Sequence, residues 1–162
     1  MRRINHQIPF FPYRFLFLYF EPFAAFAGAL KVVLTPVSYL QVFSPSATST
    51  TYNPLEQPIY DQVGALLLLF AWCQAVVLRV AGEDVRVWKS ILFGMFLCDC
   101  VHLASQYRIL GWEVFVNPSR WRMEEWVNFV MLYGPGSLRL AFCAGLGLGE
   151  DGSRVKRAAK GD

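Results

Sequence analysis

Five polar side chains stand inside otherwise apolar stretches of this sequence: Glu21, Gln74, Asp99, His102 and Arg139. The densest chemistry lies in Cys98-Asp99-Cys100-Val101-His102, where Asp99 and His102 are three residues apart and project from neighbouring parts of one helical face. A carboxyl group deprived of water tends to keep its proton, and a nearby imidazole can take up or return one. Asp99 and His102 are therefore the candidate acid and base, with Glu21 as the reserve acid. Gln74, Arg139, Asn128 and Trp72 are the candidate substrate-binding residues. Cys98 and His102 also form a CxxxH pair, but nothing around the thiol marks it as activated. A metal site would need more ligands than the sequence groups together, so neither a metal nor another cofactor is expected. Each polar residue also has a structural alternative: Asp99 and His102 as an interhelical clasp to Asn128 or Tyr60, and Glu21 with Arg139 as a buried ion pair, bridged by Gln74.

The elements that would hold these residues are read from hydropathy. The chain has 162 residues, 55% hydrophobic and only 17% charged, too apolar for an ordinary soluble domain. A bilayer core takes roughly 20 apolar residues per helix. Spans are expected at about 13–34, 60–80, 87–105 and 126–148, which predicts an all-α membrane bundle of four transmembrane helices. Residues 1–12 would form a cytoplasmic N-terminus and 149–162 a polar cytoplasmic tail. Between the spans, 44–58 reads as a solvent loop and 81–84 as a charged turn. Residues 106–125, with Trp112 and Trp121 among charged side chains, read as an interfacial loop. Arg2 and Arg3 before the first apolar run resemble a signal peptide, but the run is long and carries Arg14 and Glu21, so it is read as a retained span.

Charge placement orients the chain. With both termini inside, ten of the fifteen basic residues lie on the cytoplasmic side, against Lys31, Arg108, Arg120 and Arg122 opposite and Arg139 within the last span. The net charge of +3 is small and the basic residues crowd the chain ends and one short loop, which argues against a nucleic-acid face. The four cysteines lie in apolar runs and read as small buried hydrophobes. Counting about 1.5 Å per residue, Glu21 lies about 10 Å from the cytoplasmic end, and Arg139 reaches a similar depth on the antiparallel fourth span. Pro22 and Pro135 should bend their helices, and Gly134-Pro135-Gly136-Ser137 should make the fourth irregular enough to open a cavity.

Several strings carry a resemblance: Tyr13-Arg14-Phe15 through Phe20-Glu21-Pro22, Val77-Leu78-Arg79 followed by Val85-Arg86-Val87-Trp88, Asp99 with His102, and Leu138-Arg139-Leu140-Ala141-Phe142. Together they look like a family of small fungal four-helix membrane proteins, over nearly the whole chain. In that family the second span commonly has a carboxylate where this chain has Gln74, which weakens an acid role at that position. The four-helix plan is also similar, more distantly, to the EXPERA superfamily of sterol isomerases and emopamil-binding proteins, which take lipophilic substrates from the bilayer. Small fungal membrane proteins of this kind include meroterpenoid cyclases that close rings on an isoprenoid epoxide or olefin after protonation. The resemblance implies a multi-pass protein of the endoplasmic reticulum, working on a lipophilic substrate as a cyclase or isomerase in secondary metabolism. Fourteen Phe, seven Tyr and five Trp would supply aromatic walls for a developing cation. The alternative is a non-catalytic membrane protein that binds lipid or a partner. The sequence leaves oligomeric state open.

Overall fold

A computed structural model describes residues 11–44, 46–48 and 52–148. Among them the chain is all α-helical, without a strand. Helix α1 runs Phe11–Leu34, α3 Pro54–Ala81 and α4 Val85–Phe115, and these three are long and apolar enough to cross a membrane. Between α1 and α3 lies the short α2, Pro36–Phe43. The last described helix, α5, is Met123–Ala144. Asn128, Gly134, Ser137 and Arg139 dilute its apolarity, so it does not join the three long apolar helices.

Large apolar side chains are exposed in number around an apolar core that also buries several polar groups. Phe23, Leu34, Trp72 and Val101 are 60–74% exposed, while Glu21, Gln74, Gln106, Glu125 and Arg139 are buried. Apolar surface outside and polar groups inside suit hydrocarbon as the solvent. Helix α1 packs along α3, and α5 along α4. At Gly64 of α3 an added Cβ would come 2.5 Å from the Val33 side chain and displace it, so glycine favours the close approach of these two helices. Near one end, Tyr13, Phe17 and Leu18 of α1 meet Leu78 of α3, Trp88 and Leu92 of α4, and Phe142 of α5 in one apolar core.

Two irregular turns lie beside each other in this packing. Residues Leu16–Phe20 of α1 and Cys73–Val77 of α3 are π-helical and in contact. Glu21 N–H bonds to Leu16 O, and Leu78 N–H bonds to Cys73 O, five residues back in each case. Pro22 has no N–H, so Leu18 O loses its helical donor. Arg79 Nη2 donates to that oxygen at 2.6 Å, and Arg79 Nη1 donates to Ala75 O. One side chain thus stitches both irregular turns. The π turn of α1 lies directly before Glu21-Pro22.

Other expectations change in detail. The third span is expected to end near residue 105, whereas the helical run of α4 reaches Leu110, kinks at Gly111, whose φ of 71° favours glycine, and resumes to Phe115. The stretch expected as an interfacial loop is therefore largely helical. Residues 54–58, placed in the solvent loop, already belong to α3. Helix α5 passes through Pro135 without ending and stops at Gly145, with φ of 88°. The expected tail at 149–162 and most of the expected N-terminal segment fall outside the described residues.

Candidate functional site

Each of the four longer helices contributes one residue to a single buried polar cluster. Glu21 follows the π turn of α1, Gln74 lies within the π turn of α3, Asp99 is on α4 and Arg139 on α5. Arg139 Nη2 donates to Glu21 Oε2 at 2.6 Å, and Nη1 donates to Asp99 Oδ2. Gln74 Nε2 donates to the same Glu21 oxygen. Glu21, Gln74 and Arg139 are 5%, 0% and 6% exposed, so the cluster is screened from solvent. Asp99 is its most open acid, with a side chain 14% exposed against 6% for Glu21. Gly136 of α5 lies beside Asp99: a Cβ there would be 3.6 Å from Asp99 Oδ2, an ordinary contact.

Two carboxyl groups converge on one guanidinium. The cluster is electrically neutral only with one proton on a carboxyl, and an unbalanced charge in so buried a site is disfavoured. Glu21 Oε1, Gln74 Oε1 and Arg139 Nε are buried without hydrogen-bond partners among the described residues. The cluster thus has unused donor and acceptor capacity as well as an unequal charge count.

The Glu21–Arg139 pair anticipated from equal depth is present. Asp99 differs from expectation. It was read as an acid outside that pair and coupled to His102, whereas it is bound to Arg139 and has no hydrogen bond to His102. Residues three apart on a helix point about 60° away from each other, enough for each to address a different neighbour. His102 turns to the ring of Phe43, 5.4 Å away, and to the Asn128 side chain. His102 Nε2 and Asn128 Nδ2 are buried and unpartnered among the described residues. Of the two clasp partners expected, Asn128 lies at His102, whereas Tyr60 makes no hydrogen bond to Asp99 or His102 and its ring is 6.0 Å from that of Tyr52. Trp72 is 60% exposed and not among the cluster's polar contacts.

Sequence reasoning missed Gln106. It is fully buried and both atoms of its amide lack partners among the described residues. Its spacing of four from His102 was the available signal, putting both on one face of α4. Reading residue 106 as the start of a loop hid it. Glu125 was missed similarly: buried to 2% exposure, it accepts from Arg122 N and Arg122 Nε, both at 2.6 Å, and caps α5. The Glu125 carboxylate holds the Arg122 guanidinium above its ordinary pKa.

No group of three or more His, Cys, Asp or Glu side chains able to hold a metal occurs among the described residues. The cysteines are free thiols. No curated protein and no solved structure matches the sequence. The family model described as Domain of unknown function (DUF7704) matches residues 5–149, which include the entire buried cluster, and the chain belongs to that family.

Proposed function

We propose that this chain is a multi-pass membrane protein of the endoplasmic reticulum that crosses the bilayer four times with both ends in the cytoplasm. In this reading the Glu21–Gln74–Asp99–Arg139 cluster is an acid/base site for a lipophilic isoprenoid or meroterpenoid substrate, and the protein is a cyclase or isomerase. The observation that carries it is the sharing of one guanidinium by two carboxyl groups. Glu21, held by Arg139 and Gln74, is the ionised counter-charge. Asp99, more open and bound only by Arg139, keeps the proton.

The proton passes from Asp99 to an epoxide oxygen or an olefin carbon, and a carbocation develops on the substrate. The cluster then carries one excess negative charge, which attracts that cation. Ring closure or double-bond migration ends when the cation loses a proton to His102, whose Nε2 has no partner among the described residues, or back to the Asp99 carboxylate. Proton gain and loss balance, so product and substrate are isomers. A second reading, a non-catalytic lipid- or partner-binding protein, is favoured by the depth of Glu21, Gln74 and Arg139 alone, since groups so buried also serve as a structural clasp.

The test is conversion of prenylated olefin and epoxide probes to isomers of equal mass by microsomes with matched amounts of each variant. Asp99→Asn should reduce conversion about a hundredfold or more, and His102→Gln should reduce it less. Near-normal conversion by Asp99→Asn, with Glu21→Gln inactive though folded, would move the acid role to Glu21. No conversion by the unaltered protein across the probe set would favour the binding reading.

A further inference from the structure

A cavity of about 240 Å³ opens where the end of α3, the turn after it and the start of α4 meet α1. It lies apart from the acid/base cluster and does not depend on that site's chemistry. Its floor is apolar, made by Leu18, Leu78 and Trp88, which are 7%, 0% and 2% exposed. Its rim is charged, with Arg14 and Arg79 against Glu83. Arg79 is fixed in place, since its two terminal nitrogens hold Leu18 O and Ala75 O and its guanidinium lies 4.9 Å from the Tyr19 ring centre. It therefore offers its remaining N–H groups without losing side-chain freedom. Arg14 is exposed and makes no hydrogen bond or ion pair among the described residues.

We infer that this cavity binds the phosphate group of an amphiphile whose apolar part lies against the exposed Tyr19 ring at the cavity's edge. Two guanidinium groups match a phosphate better than any uncharged headgroup, because each presents a fixed fork of N–H donors. A basic pocket at the ends of apolar helices is also where lipid phosphates lie. Glu83 adds a preference, since its carboxylate suits a headgroup that carries an ammonium beside the phosphate.

The experiment uses the purified full-length chain in maltoside micelles, with native mass spectrometry to count bound lipid. Probes are dihexanoylphosphatidic acid, dihexanoylphosphatidylethanolamine, dihexanoylglycerol and inorganic phosphate. Both phosphate-bearing lipids should bind about tenfold or more tightly than dihexanoylglycerol. Arg14→Gln, at an exposed position, should fold normally and lose about tenfold in phosphatidic acid affinity. Glu83→Gln should weaken phosphatidylethanolamine relative to phosphatidic acid. Displacement of phosphatidic acid by equal inorganic phosphate would support the phosphate site with free phosphate as its source, and failure of displacement would support the lipid. Equal binding of dihexanoylglycerol and phosphatidic acid, or unchanged affinity in folded Arg14→Gln, would overturn the inference.

Discussion

Arg139 holds Glu21 at 2.6 Å from the far side of the helix packing, and its other terminal nitrogen holds Asp99. Arg139 therefore ties α5 directly to α1 and α4, and only through Glu21 to Gln74 of α3. Arg139→Gln leaves two carboxyl groups without their cation and should destabilise the fold by about 3 to 5 kcal/mol. Glu21→Gln should cost less, because Asp99 still balances Arg139. Glu21→Gln combined with Arg139→Gln should be milder than the sum of the single changes. Unfolding in detergent micelles measures all three; strictly additive losses would contradict the coupling.

The contact between Arg79 and Leu18 O compensates for the N–H that Pro22 lacks. Arg79→Ala should cost about 1 to 3 kcal/mol by leaving that carbonyl unpaired. In a Pro22→Ala background the new N–H can reach Leu18 O, so Arg79→Ala should cost less there. A thermal-unfolding cycle over the four proteins checks this; an equal cost in both backgrounds would show that the carbonyl is not what Arg79 serves.

Glu125 caps α5 and binds the Arg122 side chain. Glu125→Ala should lose about 1 to 2 kcal/mol, the scale of a helix cap with a charge-assisted bond. Glu125→Gln should recover part of that through the bond to Arg122 N. Comparing thermal midpoints decides, and an Ala variant as stable as the unaltered protein would remove the cap from the picture.

Topology is checked by single cysteines in a background lacking the four native ones. Cysteines at Ser46 and Ser119 should react with an impermeant thiol reagent only from the non-cytoplasmic side. A cysteine at Ser153, beyond the described residues, should react only from the cytoplasm, because the basic residues hold that side. Reaction of Ser119 and Ser153 from one side would mean that α5 does not cross.

The pairing of Glu21 with Arg139 was legible because depth along two antiparallel helices follows from counting residues. The inclusion of Asp99 was not, since it depends on how α4 is rotated, which hydropathy does not define for a helix apolar nearly all round. The π turns at 16–20 and 73–77 leave no hydropathy signal either. They alter backbone hydrogen bonding and not side-chain type, and Pro22 marked only that some irregularity was needed. Gln106 and Glu125 were hidden by reading polar residues near a span's end as headgroup-facing, although both turn inward. The three apolar helices were legible as spans, while α5, diluted by Asn128, Gly134, Ser137 and Arg139, matches the expected plan less closely.

The most direct test is whether the cluster holds one proton between Glu21 and Asp99. Infrared spectroscopy of the purified chain at neutral pH reads it as the carbonyl band of a carboxylic acid. The unaltered protein should show a band that disappears in Asp99→Asn, where Arg139 and Glu21 balance each other. It should also disappear in Glu21→Gln, where Asp99 becomes the only partner of Arg139. Absence of the band in the unaltered protein, or its survival in both variants, would contradict a proton stored at this site.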